Sequence, residues 1–301
     1  MKSFGLFILV TLSLVSFASV SCDKVEVRSS IIPAPMNIDL EHKFFCFDEG
    51  TVFSVENTGQ KNVAELFVSV FEDMSGYTPL VRFNDTAADI VFHEVRGLEK
   101  DEYRIYAETK KVTVEASDDA GFFYAMQTLR FMLSPSEKSG IRKHVPVWNI
   151  PVMKVVDKPY FSHRCLKLDV RKSFLPVEEI LDFLDYMAML KLNFLHLSVK
   201  DMAEMGYSAE DIRKVCECAA ALYIEIVPVC EGKGVLYSCQ GGVASEVFPD
   251  IAALAEVAWS NENLDDVIRF NKAMDVLNEN FVSKHIYRSG AVCNVSLACL
   301  K

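Results

Sequence analysis

In the first half of the chain, short segments with the alternating pattern of strands are interspersed with segments in which apolar residues recur at helical spacing. Apolar residues at helical spacing over Lys61–Met74 predict an amphipathic helix. Alternating apolar residues over 103–116 predict a β-hairpin. A second helix is predicted over Ala120–Leu133, with Ser117 or Asp118 as its N-cap. These elements together are typical of a small α+β domain.

The pattern changes after Pro159, where strand and helix segments alternate regularly. The predicted segments are the strands Cys165–Val170, Phe194–Val199 and Ile224–Val229 and the helices Val177–Leu190 and Ala209–Leu222. Alternating strands and helices are typical of parallel βα units. A closed barrel of eight such units takes about 250 residues, so three units predict an incomplete barrel.

The remaining segments are predicted to be two loops and two helices. Ser134–Arg142 is rich in serine and charge, and Gly232–Gly242 is polar and rich in glycine. Apolar residues at helical spacing predict helices over Ile251–Trp259 and Leu264–Phe281. The expected fold class is therefore an α+β accessory domain followed by an incomplete α/β barrel of the TIM type.

The N-terminal segment has the composition of an export signal. Lys2 precedes the apolar run Phe4–Val15, which is too short to span a bilayer. Small residues then lead to Cys22, which resembles the acylation site of bacterial lipoproteins. We expect an exported protein, in the periplasm or on the outer membrane, with Cys22 as a lipid anchor to the membrane. An ordinary cleavage site beside a chance cysteine is the alternative.

These patterns predict four segments of the chain. They are a signal peptide over 1–21, an accessory domain over 22–150, a barrel remnant over 159–260, and a C-terminal helix and tail over 261–301. The region Ile31–Pro146 is expected to be the better-folded half, because an unclosed parallel sheet leaves edge groups unpaired. Limited proteolysis is then expected to cut after Pro146 and leave that half intact.

Charge and cysteine usage narrow the classes of partner. The formal net charge of −11 argues against a nucleic-acid partner, which needs a basic face. The nine cysteines are scattered without a zinc-ligand spacing. Buried free thiols are the favoured interpretation, and one or two disulfides are the alternative. No metal or other cofactor is expected.

Six stretches carry a resemblance to a known family. They are Ile31–Pro35, Ala116–Leu129, Lys158–Arg164, Leu168–Val170, Met187–Asn193 and Ile251–Ser260. In this order they resemble glycoside hydrolase family 20, the β-N-acetylhexosaminidases, in its Bacteroides-like form. The resemblance covers most of the chain and implies that its partners are glycans containing N-acetylhexosamine.

The resemblance also implies residues for sugar binding. Arg164 matches an arginine that binds hydroxyls of the terminal sugar, and a planar fork of donors suits a vicinal diol. Asp201 and Glu231 match acidic positions after the second and third strands, although several of their neighbours differ from the family pattern. His196 is interpreted as a packed strand residue, and Trp259 as a core residue.

The catalytic motif of the family is missing. Its enzymes let the substrate's own acetamido oxygen attack, while a glutamate protonates the leaving group and the preceding aspartate positions the acetamido group. Both residues come from the motif His-x-Gly-Gly-Asp-Glu. The only Gly-Gly pair here, Gly241-Gly242, is followed by Val243 and Ala244. We therefore expect no catalytic residue in this chain.

Three functions stay open on the sequence. The first is a β-N-acetylhexosaminidase homologue with impaired catalysis, and the second is a carbohydrate-binding or structural surface protein. The third is an active hexosaminidase that is completed by oligomerisation.

Overall fold

The computed structural model describes residues 31–139, 146–228, 234–239, 244–260 and 267–277, whose strands form two sheets. The first sheet contains β1 (Asn37–Phe47), β2 (Val52–Val55), β3 (Leu80–Phe83), β4 (Ile90–Glu94), β5 (Tyr103–Ala107), β6 (Val112–Ala116), β7 (Ser134–Ser139) and β8 (Pro146–Asp157). The second contains β9 (His163–Leu168), β10 (Phe194–His196), β11 (Glu225–Val227) and β12 (Gly234–Cys239). The helices are α1 (Thr58–Ser75), α2 (Asp119–Met132), α3 (Val177–Met189), α4 (Val199–Glu204), α5 (Ala209–Ala221), α6 (Ala244–Ser260) and α7 (Val267–Leu277).

The first sheet is mixed, in the order β1-β8-β5-β6-β4-β2-β3, with β7 also pairing β8. Strands β6, β4, β2 and β3 are parallel to one another, and the pairs that involve β1, β5, β7 and β8 are antiparallel. The hairpin predicted over 103–116 is confirmed as β5 and β6.

The two helices predicted in this half are confirmed, and both lie on one face of the first sheet. Helix α1 starts after Asn57, whose side chain accepts a hydrogen bond from the Gln60 amide at 2.9 Å. It ends at Gly76, whose left-handed φ of 77° closes the last turn through a bond to Glu72. Helix α2 is capped by Asp118, which accepts from the Gly121 amide at 2.7 Å.

Helix α2 is buried on every side, because it lies between the first sheet and the second half of the chain. All residues from Gly121 to Met132 are buried, as expected for a helix inside a core. Phe122 stacks on Phe92 of the first sheet at 4.9 Å. On the other side, Phe123 contacts Tyr223, which follows α5, at 5.2 Å.

Two expectations for this half are corrected. The segment after α2, predicted as a loop, starts with β7, which pairs antiparallel with β8. Strand β8 itself runs to Asp157, past the predicted boundary at residue 150, and it pairs with both β1 and β5. A cut after Pro146 would therefore remove the strand that joins β1 to the rest of the sheet, so the region Ile31–Pro146 is not a complete unit.

The second sheet is parallel and has the order β11-β10-β9-β12. The segment that contains β12 was expected to be a loop, and this expectation is wrong. Strand β12 pairs along the whole of β9, from Gly234 beside His163 to Cys239 beside Leu168. In a (β/α) barrel the last strand closes on the first. The last strand of this sheet therefore occupies the closing position, and the described part of the barrel has four adjacent strands.

Helices α3 and α5 begin and end within one residue of the predicted positions, whereas α6 begins at Ala244, seven residues before the predicted start at Ile251. Helix α5 starts with a complete capping box, in which Ser208 and Asp211 bond to each other's backbone amides. Helix α3 has no side-chain cap, but Glu178 and Glu179 lie in its first turn, where negative charge is favoured. The short helix α4 directly after β10 was not predicted.

The disulfide alternative is the correct one for two cysteines. Cys165 on β9 and Cys218 on α5 each take part in a disulfide, while Cys46 and Cys216 are free thiols. Cys22 and the predicted signal segment 1–21 lie outside the described residues. None of the described helices is long and apolar enough to span a bilayer.

Candidate functional site

The carboxyl-terminal edge of the second sheet carries a cluster of charged side chains. Parallel βα folds place their binding and catalytic residues at this edge, in the loops that follow the strands. Strand β9 leads to Asp169 and Arg171, and β10 leads through His196 to Asp201 in the first turn of α4.

Arg171 and Asp201 form the centre of this cluster. The Arg171 Nε atom lies 2.9 Å from a carboxylate oxygen of Asp201, and the guanidinium also pairs with Glu204. The side chain of Arg171 is 50% exposed and that of Asp201 29% exposed. An ion pair this exposed adds at most about 1 kcal/mol to stability. Its groups therefore remain accessible to a polar ligand at little structural cost.

Asp201 is held in place by the start of α4. The Ser198 side chain accepts a hydrogen bond from the Asp201 amide at 3.1 Å, as an N-cap residue does. Ser198 lies two residues after the end of β10. Its role here is to fix the helix turn that points Asp201 toward Arg171.

His196 lies at the end of β10, half-buried beside this pair. Burial and the nearby positive charge of Lys167 lower the pKa of its imidazole. The imidazole is therefore neutral at neutral pH and offers one donor and one acceptor. The half-buried position of His196 agrees with a residue that packs in the strand and partly faces the carboxyl-terminal edge of the sheet.

An aromatic pair borders the same loops. The Phe174 ring is stacked on Tyr207 with 5.0 Å between the ring centroids, and Phe174 is 56% exposed. The Tyr207 hydroxyl accepts from the Leu175 amide at 3.2 Å and donates to the Leu175 carbonyl at 2.5 Å. The edge therefore combines an ion pair with an apolar surface of fixed orientation.

Arg164 lies at the other end of β9, close to its amino terminus, and is fully buried. Its Nε atom donates to the Lys191 carbonyl at 2.8 Å, and Nη1 donates to the Phe161 carbonyl at 2.9 Å. The Nη2 atom donates to the Tyr124 hydroxyl at 3.1 Å and to Asp101 at 3.3 Å. The guanidinium carbon also lies 5.0 Å from the centre of the Trp259 ring.

The position of Arg164 argues against the role that the resemblance implied. Its donors are used inside the protein, and it lies at the end of the strand away from the loops that hold ligands in this type of fold. Arg164 instead joins the two sheets. The arginine at the carboxyl-terminal edge is Arg171, which the sequence analysis did not single out. Its position directly after the predicted strand Cys165–Val170 was the available signal.

The other predicted positions have different outcomes. Asp201 lies in the cluster, whereas Glu231 and the pair Gly241-Gly242 lie outside the described residues. The core interpretation of Trp259 is confirmed, since its side chain is 1% exposed. Within the described ranges, no three histidine, cysteine or acidic side chains come together as metal ligands.

Two family profiles match the chain in the order of its two sheets. The profile of glycosyl hydrolase family 20, domain 2, matches residues 28–158, and that of the family 20 catalytic domain matches residues 161–204. The chain belongs to glycosyl hydrolase family 20. The first match ends one residue after β8, which agrees with the boundary that the sheet itself shows.

Relatives of this family 20 chain are hexosaminidases that are much longer. A β-hexosaminidase of Porphyromonas gingivalis is 24% identical over an alignment of 323 positions, which covers 92% of this chain and 40% of the relative. The β-hexosaminidase 1 of Coccidioides posadasii is 34% identical over 128 residues, which cover 36% of this chain and 21% of the relative. The chain thus spans less than half the length of these relatives.

Solved structures of the family have the same fold. The Streptomyces plicatus N-acetyl-β-hexosaminidase, in complex with Thio-NAglucal, has a TM-score of 0.58 at 24% identity and covers 69% of this chain and 46% of that one. The β-N-acetylhexosaminidase of Bacteroides fragilis has a TM-score of 0.53 at 22% identity and covers 84% and 55%. The fold class expected from the sequence, an accessory domain followed by a partial TIM-type barrel, is confirmed.

Proposed function

We propose that this chain is a β-N-acetylhexosaminidase-like protein that binds glycans with terminal N-acetylhexosamine and does not hydrolyse them. The observation that carries the proposal is the exposed Arg171–Asp201 pair at the carboxyl-terminal edge of the second sheet. Family membership supports the class of ligand, since the relatives are hexosaminidases.

The edge offers the groups that a sugar ring needs. The guanidinium of Arg171 has a planar fork of donors for neighbouring hydroxyls, and the Asp201 carboxylate accepts hydrogen bonds from the same hydroxyls. The exposed face of Phe174 supplies apolar surface beside these polar groups, which is the usual composition of a small-molecule site.

Hydrolysis requires more than this edge contains. The family reaction needs a carboxylic acid at the leaving oxygen and a second carboxylate that aligns the acetamido group. The sequence lacks the motif that supplies both. At the edge, the Asp201 carboxylate is already paired with the Arg171 guanidinium.

A hydrolase completed by a second copy is the competing function. In the described part of the second sheet, β11 and β12 each pair on one side only, and free strand edges favour association with another chain. A glycan-binding chain would not hydrolyse its ligand. A hydrolase formed by two copies would do so, provided that the assembled barrel supplies a general acid.

Binding at the edge is tested with Arg171→Ala. Loss of a charged hydrogen-bond donor costs roughly 1.5–3 kcal/mol, so we expect affinity for chitotriose to fall about tenfold or more. Isothermal titration of the full chain measures it. Arg213→Ala is the matched control, since Arg213 is similarly exposed but lies on α5. Equal affinities of the two variants would contradict a binding role for the edge.

Export is the second part of the proposal. The Lys2 charge and the apolar run that follows support cleavage before Cys22. Mass spectrometry of the mature N-terminus is expected to find Cys22 as first residue, carrying lipid. A retained Met1 would exclude export, and an unmodified Cys22 would exclude the anchor.

A further inference from the structure

A groove of about 330 Å³ lies on the helix-free face of the first sheet. Its lining includes Ser54, Glu56, Asn84, Thr86, His93 and Lys111. The alternation of the strands explains the location. Phe53 and Phe92 face α1 and α2, where they contact Phe67 and Phe122. The next residue of β2 and the preceding residue of β4, Ser54 and Val91, therefore face the opposite side.

The strand order makes this position a topological switch point. From β2 the chain passes through α1 to β3 on one side, whereas from β4 it passes beyond β6 to β5 on the other side. Between β2 and β4, connections thus leave in opposite directions. In open sheets with parallel strands, ligands bind in the crevice outside the carboxyl ends of two such strands. The groove extends from this point along the strands, since its lining runs from Glu56 and His93 at the ends of β2 and β4 to Lys111, which lies before the start of β6.

A hydrogen-bonded pair bridges the ends of these two strands. The Nδ1 atom of His93, on β4, lies 2.9 Å from the Glu56 carboxylate, which follows β2. The other carboxylate oxygen of Glu56 accepts from the Glu94 amide at 3.1 Å. Because a carboxylate only accepts, the Nδ1 atom of His93 is the donor in this pair. The pair therefore presents a fixed polar wall.

The other side of the groove is also held by local bonds. Asn84 has a left-handed φ of 51° and its amide donates to the Val55 carbonyl at 3.0 Å. Asp85 accepts from the Ala87 amide at 2.9 Å and from Arg82 at 3.2 Å. These bonds fix the turn after β3, which carries Asn84 and Thr86 on the lining.

The charges on the lining select a class of ligand. The carboxylates of Glu56 and Asp85 disfavour a phosphate or another anion, and the ammonium of Lys111 disfavours a metal cation. A mixture of amide, hydroxyl, imidazole and charged groups suits a neutral ligand with many hydroxyls. The volume is at the lower end of the range for small-molecule sites, which is about 300–1,000 Å³.

We infer that this groove is a second saccharide-binding site, distinct from the Arg171 edge of the second sheet. Its ligand is a short neutral saccharide, which forms hydrogen bonds with Asn84, Thr86, His93 and Lys111. The two sites lie on different sheets, so one chain contacts a glycan at two separate points. Only the choice of a glycan as ligand is shared with the proposed function.

The test uses the full chain in an Arg171→Ala background, with chitotriose as the probe. His93→Ala and Lys111→Ala are expected to weaken the binding that remains by tenfold or more. The matched controls are His42→Ala, on exposed β1, and Lys110→Ala, next to Lys111 but not on the lining. Both controls are expected to bind as the background does, and circular dichroism checks that each variant is folded.

The outcomes separate this inference from the proposed function. If Arg171→Ala abolishes all binding, or if the remaining binding is unchanged in both groove variants, the groove is not a saccharide site. If Arg171→Ala binds as the parent does while His93→Ala weakens binding, the groove is supported and the Arg171 edge is not.

Discussion

Replacing Asp157 by alanine is expected to lower the free energy of unfolding by about 3–5 kcal/mol, the cost of breaking a fully buried ion pair. Asp157 is completely buried at the end of β8 and lies 3.1 Å from the Lys191 ammonium, which is also completely buried. Its carboxylate accepts from the Trp259 indole at 2.9 Å, from the Met36 amide at 3.0 Å, and from the Tyr103 hydroxyl.

The expected loss is large because several buried donors share this one carboxylate as their acceptor. Without the carboxylate, Lys191 and the indole of Trp259 stay buried and lose an acceptor, and each unsatisfied buried group costs free energy. The Lys191 ammonium lies 4.4 Å from the centre of the Trp259 ring, which offsets only part of this cost. Burial also lowers the pKa of Lys191, so the variant is expected to release that proton more readily.

Urea denaturation, followed by circular dichroism and tryptophan fluorescence, measures this effect. Trp259 is one of two tryptophans, so fluorescence reports on the network itself. Asp39→Ala, at an exposed position on β1, is the control and should stay within about 0.5 kcal/mol of the parent. Asp157→Asn keeps the shape of the side chain, so its loss in free energy of unfolding should lie between those of Asp39→Ala and Asp157→Ala. This variant provides the test if Asp157→Ala does not fold. A loss below about 1 kcal/mol in Asp157→Ala would contradict the assigned role.

The second large effect is expected in catalysis. We expect no measurable release of N-acetylglucosamine from an aryl β-N-acetylglucosaminide. Loss of a general acid costs about 10²- to 10⁴-fold, and loss of the group that aligns the acetamido oxygen removes much of the effective molarity. Together they should place turnover more than about 10⁴-fold below that of an intact relative.

A chromogenic assay with the Bacteroides fragilis β-N-acetylhexosaminidase as positive control measures this difference. The chain is assayed over a range of concentrations, because a hydrolase formed by association would gain specific activity as concentration rises. Turnover within tenfold of the control would refute the non-hydrolytic function. Activity that appears only at high concentration would favour the competing function.

The buried network around Asp157 also explains why the two halves are not independent. Tyr103 and Asp157 belong to the first sheet, whereas Arg164, Lys191 and Trp259 belong to the second half. The residues before β1 also contact the second half of the chain, since the Ala34 amide donates to Glu256 of α6 at 3.1 Å. We therefore expect one cooperative unfolding transition for both sheets rather than a stable N-terminal fragment.

Periodicity predicted most elements because their signals are local. The helices α1, α2, α3 and α5 have apolar faces and capping residues within a few positions of each other, and the hairpin β5–β6 has strict alternation. Strand β12 was missed because its pairing partner is β9, far away in the chain, and because its short apolar run lies within a segment rich in glycine and polar residues. Strand β7 was missed for the same reason, since β8 is what makes it a strand.

The sequence by itself determined the family, the two-part architecture and the loss of the Asp-Glu motif, since each rests on residue identity and local spacing. Only the tertiary structure decided the roles of the arginines. Arg164 and Arg171 lie only seven positions apart. Arg164 is at the buried amino end of β9, whereas Arg171 follows the carboxyl end of the same strand and is exposed. Which end is buried depends on the packing of the first sheet and α6 against β9, and no local pattern encodes that packing.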